Sequence, residues 1–150
     1  MTDRPKAQEF IDLYERFQRL TPGQRHELRK AKSYGELTMM PSFYKLTKGL
    51  GTGSQWQRVV YLLPYITHHA GGDTLGAKLA GKKKDRAQVS EQRLFQVIRS
   101  EPPNDLNQLR RLVQQVEPVL DWPKLANTLF FWGTNKKRKL IEDYYLASTN

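Results

Sequence analysis

No cysteine occurs in the 150 residues. Disulfide stapling, a thiol nucleophile and any zinc site that needs thiolates are therefore excluded, and the composition suits a reducing, cytoplasmic setting. Long apolar runs are also missing. The longest mostly apolar stretch, Val59 to Ile66, has eight residues and contains Pro64, whereas a membrane-spanning helix needs roughly 20. The opening Met1-Thr2-Asp3-Arg4-Pro5-Lys6 lacks the apolar core of a secretory leader, so no membrane partner is expected. Neither sustained period-two alternation nor an Asn-Gly or Asp-Gly turn occurs, which leaves no hairpin signal. Acidic residues are scarce: 15 Asp plus Glu stand against 25 Lys plus Arg, a formal charge of +10. That imbalance points to a polyanionic partner. The chain nevertheless folds, because 11% aromatic residues are too many for a disordered segment.

What is present is helical periodicity. Phe10, Leu13, Tyr14, Phe17 and Leu20 recur at three- and four-residue steps and form one stripe. Pro5 falls in the opening turn of that helix. Thr21-Pro22-Gly23-Gln24 reads as N-cap, first-turn proline and capping-box glutamine for a second helix reaching about Lys32. A short helix over Pro41 to Lys48 is stopped by Gly49. Ser54 is placed to cap the next, which carries Trp56, Val59, Val60, Leu63 and Ile66 until Pro64 kinks or ends it. After a break at Gly71-Gly72, Thr74 to Ala80 forms a short helix. Gly81 to Asp85 reads as an exposed loop dividing the chain into 1–86 and 87–150.

In the second part Ser90 caps a helix from Glu91 to Ser100, with Val89 and Leu94 as a hydrophobic staple. Asp105 and Gln108 form a capping-box pair for a helix burying Leu106, Leu109, Val113 and Val116. Asp121 caps another, stapled by Leu120 and Leu125 and terminated by Gly133. A last helix from about Lys136 to Ala147 buries Leu140, Ile141, Tyr144 and Tyr145. The fold class is all-α, with roughly seven to nine helices in two subdomains.

Catalytic material is poor. His68 and His69 project about 100° apart on a helix and are not placed to chelate one ion together; one buried edge and one solvated ring is the plainer reading. Glu142-Asp143 reads as a solvated helix face. Gly76 to Lys83 has the spacing of a phosphate-binding loop except at its last position. Lys83 stands where Ser or Thr must bind magnesium, and no apolar strand precedes it. Gly49 to Gly53 has no preceding strand either. No metal, no cofactor and no enzymatic activity are expected.

The excess charge lies in four clusters: Arg25, Arg29, Lys30 and Lys32; Lys82, Lys83 and Lys84 with Arg86; Arg93, Arg99, Arg110 and Arg111; and Lys136, Lys137, Arg138 and Lys139. Any one of them could be a solvated face. The last stands in the opening turn of a helix, where the macrodipole repels cations, yet free N–H groups and ammonium groups there converge on an anion site. Arginine is better suited than lysine to bidentate phosphate contact, which favours Arg110 and Arg111. Trp122, Phe130, Phe131 and Trp132 could stack bases, but their helical spacing favours core packing.

Several blocks together resemble a known family. These are Gln92-Arg93-Leu94-Phe95-Gln96-Val97-Ile98-Arg99, Gln108-Leu109-Arg110-Arg111-Leu112, Glu117-Pro118-Val119-Leu120-Asp121-Trp122-Pro123, Phe131-Trp132-Gly133 and Leu140-Ile141-Glu142-Asp143. In order and spacing they resemble CasB, the small subunit of the type I-E CRISPR Cascade surveillance complex, from about residue 90 onward. Earlier, Glu36-Leu37 and Pro41-Ser42-Phe43-Tyr44-Lys45-Leu46 fit thinly, and Arg29-Lys30 stands where relatives tend to carry an Arg pair. The stretch from about 49 to 88 does not align, so a role for Lys82 to Lys84 rests on charge alone.

The resemblance implies an all-helical, non-catalytic protein made of two packed helical bundles, N-terminal and C-terminal. It implies a second copy placed head to tail within a complex of other Cascade subunits and CRISPR RNA, and an R-loop held by contact with the displaced strand and the guide–target duplex. Since guide pairing reads the sequence, phosphate contacts suffice. The expected partners are single-stranded and duplex nucleic acid. The expected contacts are Arg29, Lys30, Arg93, Arg99, Arg110, Arg111, Lys136, Lys137 and Arg138, with Arg25, Lys82, Lys83 and Lys84 as lesser candidates. A free-standing helix-turn-helix regulator is the rival, and it would require a sequence-specific, twofold-symmetric site. A metal-dependent nuclease would reveal itself by cleaving DNA.

Overall fold

A computed structural model describes residues 4–83 and 86–148. Over these residues the chain forms α1 (Ala7–Arg19), α2 (Pro22–Arg29), α3 (Pro41–Thr47), α4 (Ser54–Leu62), α5 (Leu75–Ala80), α6 (Glu91–Arg99), α7 (Asn104–Val116), α8 (Trp122–Phe130) and α9 (Thr134–Ser148). The all-α expectation holds. Four strands of two residues each accompany the helices. β1 (Thr67–His68) runs parallel to β4 (Val119–Leu120), and β2 (Lys82–Lys83) pairs antiparallel with β3 (Arg86–Ala87). The stretch expected as a loop thus carries a short strand pair; Lys84 and Asp85 lie outside the described residues.

Several helix starts follow local chemistry. Thr21 and Gln24 form the reciprocal capping box of α2, at 3.1 and 2.9 Å. Thr74 caps α5 and Ser90 caps α6 through their hydroxyl groups. Other boundaries differ. α2 stops at Arg29 and is followed by an unforeseen 3-10 turn over Tyr34–Met39. Gly53, not Ser54, occupies the cap position of α4, and Pro64 converts the end of that helix into a 3-10 turn. Gly133 opens α9 instead of closing α8, since its carbonyl accepts the Lys137 N–H at 2.9 Å. On α9 Leu140 and Tyr144 are buried, while Ile141 and Tyr145 are half-buried.

The entry to α8 is built from both ends of the chain. Asp121 holds the cap position, but its carboxylate accepts the Gly71 N–H at 3.1 Å. The first helical N–H, that of Trp122, donates instead to His68 Nδ1 at 3.0 Å, while the His69 ring is exposed. Gly72 is required there, because a Cβ would lie 2.9 Å from the His69 carbonyl oxygen. The Trp122 ring is fully buried and its Nε1–H donates to the Phe10 carbonyl at 2.9 Å, tying α8 to α1.

One continuous apolar core runs from Phe10 on α1 to Tyr144 on α9, through both sides of residue 86. α1 and α4 pack on α8, and α5 packs on α9. Gly76 makes that last contact possible: a Cβ would sit 2.6 Å from the Leu140 carbonyl oxygen. The glycine of the apparent phosphate loop is therefore a helix-packing residue.

Asp105 is the main departure from the reading of the termini. It does not hold the cap position, which belongs to Pro103; its side chain is 1% exposed inside the first turn of α7, where Oδ1 accepts the Leu106 N–H at 2.8 Å. One carboxylate oxygen accepts Lys137 Nζ at 3.1 Å and Trp132 Nε1–H at 2.9 Å. Lys137 also donates to the Ser100 carbonyl at 3.0 Å. Breaking a buried pair from one side strands the other charge and costs about 3–5 kcal/mol. Asp105→Ala should therefore lower unfolding stability by about that amount in urea titrations. Asp105→Leu combined with Lys137→Met, which removes both charges, should recover much of it.

Candidate nucleic-acid interface

Many of the cations are engaged with backbone oxygen. A helix leaves its last carbonyls without partners, and arginine side chains supply them here. Arg16 donates to the Leu46 and Lys48 carbonyls, both at 2.8 Å, at the end of α3. Arg58 does the same for Leu129 and Phe130 at the end of α8. Burial pushes the Arg58 guanidinium below its ordinary pKa, opposed by the fields of Tyr34 and Asp105.

The cluster at the start of α9 does not form the convergent anion site that its sequence suggests. The helix begins at Thr134, so these cations lie later than the first free N–H groups. Lys137 turns inward to Asp105 and is withdrawn as a phosphate contact, because its ammonium is already paired and its side chain is 15% exposed. Lys139 pairs along the helix with Asp143 at 2.8 Å and Glu142 at 3.4 Å, and the Asp143 hydrogen bond is the main cause that raises its pKa. Lys136 stays half-buried and Arg138 exposed; neither has a carboxylate partner among the described residues.

Elsewhere the fold brings distant cations together. Arg25 donates to the Gln18 carbonyl and lines a groove of about 540 Å³ with Arg29. Arg29 donates to the Pro64 carbonyl at 3.2 Å and lies over the Tyr65 ring at 5.9 Å, and Lys30 next to it is exposed. From the other half of the chain, Arg110 lies 4.1 Å over the Tyr61 ring, and Asn107 accepts from the Tyr61 hydroxyl one turn earlier on α7. Arg111 is exposed, one turn before Gln115, which takes a hydrogen bond from Arg93. Three separate contacts, Arg93 with Gln115, Arg110 on Tyr61 and Arg29 on Tyr65, thus place Arg93, Arg110, Arg111, Arg29 and Arg25 along a path over α6, α7, the end of α4 with the 3-10 turn after it, and α2. Arg110 Nη1 and the Tyr65 hydroxyl have no hydrogen-bond partner among the described residues.

Arg99 lies at the far end of α6, over the Phe95 ring at 5.3 Å and beside Gln92, Gln96 and Gln108. Lys82 and Lys83 belong to β2. Sequence reading missed Tyr61 and Tyr65, four residues apart, whose rings carry Arg110 and Arg29. It also missed a basic groove in which Arg16 and Arg19 of α1 meet Lys45 and Lys48. Spacing along one helix carries no signal for either arrangement. The aromatic reading holds where burial decides it: Trp122 is in the core, and Phe130 packs edge-on to Trp56 at 5.4 Å and Phe10 at 6.2 Å. Among the described residues no three His, Asp or Glu side chains gather to hold a metal, and no helix is long and apolar enough to cross a membrane.

Residues 24–145 match the family model of CRISPR-associated protein Cse2. The chain belongs to this family. It is 31% identical over 147 residues to the CRISPR system Cascade subunit CasB of Escherichia coli strain K12, covering 91% of this chain and 92% of that protein. It is also similar to a chain in a crystal structure of E. coli Cascade bound to a PAM-containing double-stranded DNA target, with a TM-score of 0.84 and 34% identity. That likeness covers 93% of this chain and 95% of the other. The Cse2 match spans every residue of the arginine path and begins within α2.

Burial raises the Tyr61 pKa above the ordinary 10.0, with Arg110 the chief opposing influence, and burial does the same to Tyr144. The folded chain therefore holds these protons at a pH where the unfolded chain releases them. Their contribution to stability is whole below 10.0 and is lost as pH rises through the folded values. Thermal unfolding followed by circular dichroism should show Tm falling as pH rises above about 10, with a smaller fall in Tyr61→Phe.

Proposed function

We propose that this Cse2-family chain is a non-catalytic subunit of a CRISPR Cascade ribonucleoprotein that holds sugar-phosphate backbone. In this reading it assembles with CRISPR RNA, the other Cascade subunits and a second copy of itself placed head to tail. It stabilises the R-loop through the displaced strand and the guide–target duplex. The named relative is a Cascade subunit, and the similar chain belongs to a DNA-bound Cascade. The observation that carries the proposal is the path of arginines around Tyr61 and Tyr65, assembled from both halves of the chain. Guide pairing reads sequence in such complexes, so a surface of guanidinium groups without base-edge readers meets the requirement.

The proposed contacts are Arg29, Lys30, Arg93, Arg110 and Arg111 along the path, with Arg25 in its groove. Arg99, Lys136 and Arg138 form a second set near the junction of α6 and α9. Five phosphates neutralised on single-stranded DNA give a slope of roughly −3.5 for log affinity against log salt. Arg111→Ala should reduce that slope by about 0.7 and change stability by less than about 0.5 kcal/mol. Arg110→Ala should weaken binding too, with a further stability loss of about 0.5–2 kcal/mol from the lost stack on Tyr61. Fluorescence anisotropy across a salt series checks both. Salt-independent binding would remove the backbone reading, and strong preference for one duplex sequence would favour a free-standing regulator instead.

A further inference from the structure

A cavity of about 250 Å³ among α5, α7, α8 and α9 takes no part in the arginine path. Its apolar wall includes Leu75, Leu125, Leu140 and Trp132. The volume is below the roughly 300–1,000 Å³ of sites for drug-sized molecules, and it suits one planar ring system. Asn127 and Thr128 add an amide and a hydroxyl to the lining, and Lys124 and Lys136 add ammonium groups. Asp121 and Asp143 also line it, but both are occupied, by the Gly71 N–H and by Lys139. Neither Lys124 nor Lys136 has a carboxylate partner among the described residues.

The geometry points to a pocket for one unstacked nucleobase of a single strand, with the phosphate of that nucleotide on Lys124 and Lys136. This rests on the nucleic-acid reading above and adds to it, since a backbone track needs no base site. An apolar slot with a tryptophan in its wall favours the face of a base. The Asn127 amide both donates and accepts, which matches a base edge. The unpaired ammonium groups match the phosphate. An aliphatic side chain of a protein partner would use the leucines and leave the amide and both cations unanswered.

Trp132 reports on the cavity, because Trp56 and Trp122 are buried while Trp132 is half-buried at its wall. The full chain is titrated with oligothymidylate of about 12 nucleotides and with a strand of the same length made of abasic sites, within the site sizes usual for single-strand binders. Tryptophan fluorescence and anisotropy are read together. Oligothymidylate should quench the tryptophan and bind about tenfold more tightly than the abasic strand, the size expected when one base is stacked. Equal affinity without quenching overturns the pocket but leaves backbone binding intact, since both strands would keep the same salt slope. No binding by either strand removes both readings. Thr128→Phe, which fills the cavity, should abolish the preference while sparing the abasic strand. Should that variant fail to fold, Lys136→Gln should weaken quenching by thymidine monophosphate relative to the unaltered chain. A Leu-Asp peptide that quenches where thymidine monophosphate does not would assign the cavity to a protein partner and overturn the proposal.

Discussion

The Asp105 carboxylate, almost fully enclosed, decides how the second half of the chain is arranged. A charge in that position must be answered by a cation and hydrogen bonds or the fold bears a large desolvation penalty. Lys137, the Trp132 Nε1–H and the Leu106 N–H form that answer, and Lys137 also donates to the Ser100 carbonyl, so α7, the connection after α8, the start of α9 and the end of α6 are held at one point. Turning Lys137 inward separates the run of cations on α9. One enters the core, Lys139 pairs along the helix, and Lys136 and Arg138 remain for other partners. An arrangement that looked like a defect of helix electrostatics is thus partly a requirement of packing.

The same economy explains how a chain of net charge +10 stays folded with few acids. Its arginines compensate backbone oxygen as well as carboxylates. Arg16 and Arg58 close helix ends, while Arg25 and Arg29 donate to single carbonyls near α1 and α4. Guanidinium suits this work because its planar fork offers several donors and stays charged. An arginine that uses one nitrogen on a carbonyl keeps its other donors, and so Arg25 and Arg29 serve packing without using all of their N–H groups.

Tyr61 and Tyr65 join these two roles. Tyr61 is buried, hydrogen-bonded to the Lys32 carbonyl and Asn107, and therefore fixes α4 against the end of α2 and against α7. Arg110 rests on its ring, and Arg29 rests on Tyr65. Each ring holds one arginine in place, so part of the entropy of ordering those side chains is already lost in the folded chain. The surface therefore needs both halves of the chain, in agreement with a Cse2 match that covers most of its length.

Much of this was legible in the order of residues. Capping at Thr21 and Ser90, the short helix before Gly81, and the stripes of α1 and α7 depend on neighbours within one helical turn, and local chemistry decides them. The blocks from Gln92 to Asp143 carried the family. What depended on distant partners was not legible. Asp105 and Gln108 have the spacing of a cap, and only the approach of Lys137 and Trp132 makes that carboxylate a core anchor. His68 serves Trp122 across 54 positions, and Arg110 meets Tyr61 from another helix. Sequence alone determined the long amphipathic helices and that the molecule is basic, because periodicity and charge are sums over near neighbours. Tertiary structure alone decided which cations are consumed and which share a surface, because pairing depends on distances that only packing sets.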